Sequence, residues 1–364
     1  MLSGYRSKVL AKSIIKKLKK MQLNIRIMHV CGTHQDTIIR YGLDNLLKDC
    51  GVEVRQGPGC PVCVTTEKEF TEAIILAKSG KIIATFGDVA KAPTLKGSLL
   101  AQRAEGCDVR IVYSIEDAVK IALENKEKDV VFMAVGFETT APSTAATILK
   151  EPPENFSILS CHRYIPPALH ALLSMGEIKI DGLIEPGHVS TIIGVKPYEE
   201  ISKVYHLPQV IAGFEPLDML LAVYMLAKQI KNGEAKVENE YTRSVRYEGN
   251  PKALKIMDEV FKPFDIAWRG FPIIKGSGMS LRKKFEKYDA RKKFEDELDV
   301  LKEETFKETR GCRCGEILRG IIDPEDCPLF GRVCTPEKPV GPCMVSIEGS
   351  CNIQFRYGRK KHYS

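Results

Sequence analysis

The feature that most constrains this chain is an alternation that runs from about residue 24 to about residue 232, in which short apolar runs are separated by stretches of helical periodicity. The runs lie at 25–30, 52–55, 81–86, 109–113, 130–135, 156–160, 183–184 and 210–212, and helix-like stretches lie at 66–77, 115–124, 144–150, 198–204 and 216–231. Such alternation is the signature of an α/β protein, with parallel sheets covered by helices. An amphipathic helix over residues 5–22 precedes it. A short internal echo, Val135-Gly136-Phe137-Glu138 against Ala212-Gly213-Phe214-Glu215, suggests two such units, since each follows an apolar run and precedes a proline and a helix.

A chain of 364 residues exceeds what one core usually organises. The expected division is an N-terminal helix at 1–23 packed on the C-terminal domain, one α/β domain at 24–128, a second at 129–233, and an α-rich, loop-rich domain at 234–364. The boundary at 233 falls in the polar stretch Lys231-Asn232-Gly233-Glu234.

Lysines punctuate the first twenty residues, and no stretch approaches a membrane span. A cytoplasmic location is therefore expected, where thiols stay reduced and structural disulfides are rare. Twelve cysteines in that setting call for metal or redox chemistry. The net charge of +7 is spread over Lys16-Lys17, Lys19-Lys20, Arg282-Lys283-Lys284, Arg291-Lys292-Lys293 and Arg359-Lys360-Lys361. The helical ones among these alternate with apolar or acidic residues, as solvated faces do, so no nucleic-acid partner and no membrane partner is expected.

Six of the twelve cysteines, Cys312, Cys314, Cys327, Cys334, Cys343 and Cys351, fall within forty residues, among Pro324, Pro328, Pro336, Pro339 and Pro342. Turns set by proline and glycine let thiolates distant in sequence converge, and a segment this poor in apolar residues needs a staple. Four thiolates suit either zinc or a cubane iron–sulfur cluster. The tightest pair, Cys312-Arg313-Cys314, is cramped for a zinc knuckle, which favours a cluster beside a redox-active pair.

Two further thiol motifs follow the first two runs. Cys31, in His29-Val30-Cys31-Gly32-Thr33-His34-Gln35, stands where a strand gives way to a helix, and a helix N-terminus there favours its thiolate. His34 is close enough to hydrogen-bond that sulfur or to act as a ligand. The bland alternative is a buried cysteine with Thr33 as a helix cap. Cys60 and Cys63, in Gly57-Pro58-Gly59-Cys60-Pro61-Val62-Cys63, have the spacing of a redox dithiol before a helix expected near Thr65 or Thr66, or else form half of a composite metal site. Cys50, Cys107 and Cys161 are expected to be packing residues. Glu138 and His188 hold loop positions that suit either a functional group or a cap.

Taken together, these motifs, with Gly136-Phe137-Glu138-Thr139-Thr140, Cys312-Arg313-Cys314-Gly315 and Gly341-Pro342-Cys343-Met344, resemble the HypD family of hydrogenase maturation proteins over essentially the whole chain. The resemblance implies an assembly scaffold with redox activity rather than a conventional turnover enzyme. With a small partner, HypC, it would assemble and carry an Fe(CN)2CO unit destined for the NiFe hydrogenase large subunit, cyanide coming from HypE with HypF upstream. It implies Cys31 as an iron ligand and a 4Fe–4S cluster on Cys312, Cys327, Cys334 and Cys351. Cys314 and Cys343 would form an adjacent disulfide, in surroundings similar to those of ferredoxin:thioredoxin reductase, with electrons passing through thiol pairs. A soft thiolate suits low-spin iron with diatomic ligands, and adding those ligands needs electrons that a cluster and a dithiol can supply. Two other readings compete, a cluster-dependent thiol–disulfide reductase of a protein substrate and a zinc-stapled binding protein.

Overall fold

The computed structural model describes residues 7–306 and 309–358, so the first two residues of the expected N-terminal helix and the 359–361 basic cluster lie outside the described residues. Eleven strands are defined among the described residues. They are β1 (Ile25–His29), β2 (Val52–Gln56), β3 (Ile82–Thr85), β4 (Val109–Ile111), β5 (Val130–Gly136), β6 (Phe156–His162), β7 (Gly182–Pro186), β8 (Gln209–Ala212), β9 (Val237–Asn239), β10 (Phe261–Ala267) and β11 (Ile273–Leu281).

The first nine build two wholly parallel sheets, ordered β2-β1-β7-β8-β9 and β4-β3-β5-β6. All seven residues of β5 and all seven of β6 are buried, as parallel strands covered on both faces require. The expected α/β class with two parallel sheets is therefore found.

The partition of the chain between the sheets differs from expectation. Residue 128 does not divide the sheets, because β3 before it pairs with β5 after it, Ile83 lying opposite Val131. Instead β1 pairs with β7, Met28 lying opposite Leu183, so the first sheet is made from two distant parts of the chain and the second lies between them. The boundary at 233 also cuts the first sheet, since β9 extends it. The likeness of successive βα units conceals which strands pair, because pairing across 150 residues leaves no local periodicity.

The helix Lys8–Lys20 buries Ile14 and Leu18 against the helix Pro216–Asn232 on the first sheet, not against the C-terminal domain. Those two side chains contribute on the order of 2 kcal/mol each, the apolar stripe having simply found the nearest apolar helix. Opposite faces of the sheets go to different cores. Ile27, Ile184 and Val210 face this helical layer, while Ala84, Phe132 and Ile158 face the hairpin of β10 and β11. Met28, Leu183 and Ile211 of the first sheet join Ile83, Val131 and Leu159 of the second in one core, which also takes in Cys60, Cys63, Cys314, Cys327, Cys334, Cys343 and Cys351. The cysteine-rich segment is thus packed into the interior that the two sheets share. No helix among the described residues is long and apolar enough to cross a membrane.

Candidate thiol and metal centre

In the first sheet the chain moves from β1 to β2 on one side and from β7 to β8 on the other, so strand order reverses between β1 and β7. Ligands of open α/β sheets gather at the carboxyl ends of the strands at such a point. Cys31 stands there, two residues past β1, as the N-terminal cap residue of the helix Gly32–Arg40. The second sheet reverses in the same way between β3 and β5, with Asp88 and Glu138 just beyond those strands.

The C-terminal segment bridges both sites. Ser346 donates to Asp88 at 3.2 Å, Thr33 donates to Glu348 at 3.2 Å, and Ser350 donates to Gln56 at the end of β2. Gly32 has no room for a side chain, since a Cβ would lie 2.4 Å from that of Glu348. Gly59, next to Cys60, packs on the other side of Cys31, where a Cβ would come within 2.2 Å of the Cys31 nitrogen. The turn before Cys60 and the C-terminal segment at Glu348 therefore both pack against the Cys31 turn.

The helix N-terminus does not set the state of Cys31 as expected. Backbone N–H groups of Thr33 and His34 do favour the thiolate, but burial pushes the thiol up to about 12 and the Glu348 carboxylate adds to the rise. An ion that binds this sulfur must displace its proton. Thr33 caps no helix; its hydroxyl goes to Glu348. Burial lowers His29 to about 4 and His34 to about 3, so both imidazoles are neutral at pH 7. His34 donates from Nε2 to the Ala212 carbonyl at 3.2 Å, and its bare Nδ1 has no partner. A neutral imidazole with one nitrogen tied to a carbonyl is what a metal ligand requires.

Cys60 and Cys63 form a disulfide with a Cα–Cα separation of 5.3 Å, and both are fully buried. A short helix, Pro61–Val64, intervenes before the helix Glu67–Lys78, and the Cys63 N–H donates to the Cys60 sulfur. Glu67, Glu69 and Glu72 of that second helix face three arginines. Arg163 lies 2.5 Å from Glu69, Arg291 lies 2.8 Å from Glu72 and Arg269 lies 3.9 Å from Glu67. Although burial works the other way, Arg163 holds the Glu69 carboxyl below its ordinary value.

In the C-terminal segment, the Cys312 and Cys314 sulfurs are 3.2 Å apart. Contact with Cys314 pushes the Cys312 and Cys351 thiols up, and Cys343 and Cys334 push Cys351 further. Gly341 closes over the pair, since a Cβ there would lie 2.6 Å from the Cys314 sulfur. Cys334 accepts from the Val340 N–H, and Cys327 donates to the Gly311 carbonyl. The Cys314–Cys343 disulfide that the resemblance implies is not formed, both residues being free.

Among the described residues, no three His, Cys, Asp or Glu side chains are arranged to hold a single metal ion. The donor set nevertheless fits a larger sulfur-ligated centre. It consists of cysteines alone, and they press one another toward protonation, a repulsion that shared cations relieve. A buried guanidinium, Arg269, keeps one nitrogen without a hydrogen bond beside them.

Of the remaining expectations, Cys50 and Cys161 are buried packing residues and Cys107 is half-buried. Glu138 is fully buried, accepts from the Ile165 N–H at 3.0 Å and is pushed up by burial to about 8. His188 is exposed and stacks on Phe214. Sequence reasoning passed over Glu348, Arg269 and Glu185. Glu348 and Glu185 belong to no motif, while Arg269 adjoins Trp268, whose singularity in the chain was its only flag.

The fold and the site define a class: an α/β protein with thiol turns after the carboxyl ends of β1 and β2 and a cysteine-rich C-terminal segment packed between its two parallel sheets. The family model for HypD, described as the hydrogenase formation hypA family, matches residues 7–358. A hydrogenase expression/formation protein of Methanocaldococcus jannaschii is 49% identical over 358 residues, covering 97% of this chain and 98% of that protein. Hydrogenase maturation factor HypD of Cupriavidus necator is 43% identical over 92% of this chain and 90% of its own length, and that of Rhodobacter capsulatus 40% identical over 98% and 97%. The chain belongs to the HypD family of hydrogenase maturation factors.

Proposed function

We propose that this protein is the scaffold on which, with HypC, the Fe(CN)2CO unit of a NiFe hydrogenase is assembled before passing to the large subunit, with cyanide delivered by HypE. The observation that carries this reading is the packing of the dithiol turn and the C-terminal segment against the Cys31 turn at one switch point. Gly59, next to Cys60, and Glu348, three residues before Cys351, press on the Cys31 turn. In this reading Cys31 binds the iron cargo, and its proton leaves as the metal arrives. His34, neutral and with Nδ1 free, adds a second ligand. Burial strips water from the turn, which protects bound diatomic ligands from exchange.

Cys312, Cys327, Cys334 and Cys351 would hold a 4Fe–4S cluster, which supplies single electrons to the Cys60–Cys63 pair. Cys314 and Cys343 stand beside that set as the second redox pair. Reducing the Cys60–Cys63 disulfide takes two electrons and two protons and yields two thiols, which lie in the same buried core as the C-terminal cysteines. The burial of both sulfurs argues against the thiol–disulfide reductase, because a protein substrate cannot reach a disulfide with no exposed surface. The cytoplasm, with its reducing poise, suits free thiols at ten of the twelve cysteines.

Iron and acid-labile sulfide analysis of an anaerobic preparation tests the cluster assignment. The expected result is four of each per chain, with loss of visible absorption in Cys312→Ser, Cys327→Ser, Cys334→Ser and Cys351→Ser. A colourless, zinc-containing preparation contradicts it.

A further inference from the structure

The loop Trp268-Arg269-Gly270 touches two of the thiol sites at once. On one side it caps the dithiol helix, since the Arg269 N–H donates to the Val64 carbonyl at 2.8 Å and its Nε donates to the Thr65 carbonyl at 3.2 Å. On the other it lies against the residue that follows Cys314. Gly270 has φ +78, and a Cβ there would stand 2.3 Å from the Gly315 Cα. Arg319 donates to the Gly270 carbonyl, and Gly270, Cys312 and Gly315 line one cleft of about 510 Å³. Trp268 fixes the loop, its indole N–H donating to Ser277 at 2.9 Å and its ring stacking on Phe137 at 5.8 Å.

The Arg269 side chain is itself buried, at 7% exposure, yet its Nη2 has no hydrogen-bond partner. The nearest carboxylate oxygen with which it pairs, on Glu67, is 3.9 Å away. A buried guanidinium that is left incompletely paired is costly, and it persists where an anion shares its charge. The neighbouring group that meets this need is the cysteine cluster, because the loop carrying Arg269 packs Gly270 against Gly315, the residue after Cys314, and shares one cleft with Cys312. Four thiolates around an iron–sulfur core carry net negative charge, which one further electron increases.

We propose that Arg269 is a positioning residue of the electron path, tying the Cys60–Cys63 helix to the C-terminal sulfur centre and raising the reduction potential of that centre. The inference rests on the reading that the C-terminal cysteines hold an iron–sulfur centre. Reduction of the centre adds one electron and makes or breaks no bond. A fixed positive charge in a low-dielectric interior stabilises the reduced form over the oxidised one.

The test is an anaerobic redox titration of the loaded full-length protein with dithionite, followed by electron paramagnetic resonance, on wild type, Arg269→Gln, Arg269→Lys and Glu67→Gln. Arg269→Gln is expected to lower the ratio of reduced to oxidised centre at a fixed potential about tenfold, equivalent to about 59 mV for one electron. Arg269→Lys, which keeps the charge, stays within about threefold of wild type, and Glu67→Gln moves the ratio the opposite way. Simple loosening of the fold does not produce shifts of opposite sign. An unchanged potential in Arg269→Gln with full iron content overturns the proposal, as does an equal fall in the Lys and Gln variants. Where Arg269→Gln does not fold or load, Glu67→Gln decides, a rise supporting the role of Arg269 and no change overturning it. A wild-type preparation with neither iron nor labile sulfide overturns the underlying reading, and this is seen before any titration begins.

Discussion

Gly32 donates its backbone N–H to the carbonyl of Gly59 at 3.2 Å, joining the residue after Cys31 to the residue before Cys60. This bond and the missing side chains on both partners hold the Cys31 turn and the dithiol turn in direct backbone contact.

Gly59→Ala tests that contact. The new Cβ would meet backbone atoms of Val30 and Cys31 within 2.4 Å, and neither strand end can yield. The expected loss is at least ~3 kcal/mol in urea denaturation. Gly176→Ala, with φ +64 but nothing within 4 Å, should lose only ~1 kcal/mol. Equal losses in the two variants would contradict the close approach.

Arg163→Met tests the buried charge network behind the dithiol. Arg163 and Glu69 are almost wholly buried, so removing the arginine leaves an uncompensated carboxylate. A loss of ~3–5 kcal/mol in urea denaturation is expected. A change below ~1 kcal/mol would show that Arg291 alone satisfies Glu69.

Glu185 gives a pH prediction with a definite sign. It is fully buried on β7, neither oxygen has a partner, and burial raises it from 4.5 to about 8. Between those values the folded state holds a proton that the unfolded state has released. Stability must therefore fall as pH rises from 4.5 to about 8, by up to roughly 4 kcal/mol. Glu185→Gln removes this dependence, so the variant should gain on wild type as pH rises through that window. Parallel stability curves for the two proteins would contradict it.

Much of this arrangement was legible in the sequence. Val130–Gly136 is a continuous apolar run and Phe156–His162 a largely apolar one, and a parallel strand buried on both faces needs little else. The pairing of β1 with β7 was not legible, because hydrophobic periodicity records that a strand is buried and not against which neighbour. Cys31, Cys60 and Cys63 were legible as chemistry because of their spacing at strand ends. The protonated state of Cys31 was not, since it depends on burial by a segment more than 300 residues away and on Glu348, an isolated acid. Arg269 escaped notice for the same reason, its role lying in two carbonyls and a cysteine that are distant in sequence.

The most direct test of the central claim is the infrared spectrum of the anaerobically purified complex with HypC, compared between wild type and Cys31→Ala. The account predicts bands from bound CO and cyanide in wild type and none in the variant, whose iron–sulfur absorption stays intact. Persistence of the CO and cyanide bands in Cys31→Ala would contradict it.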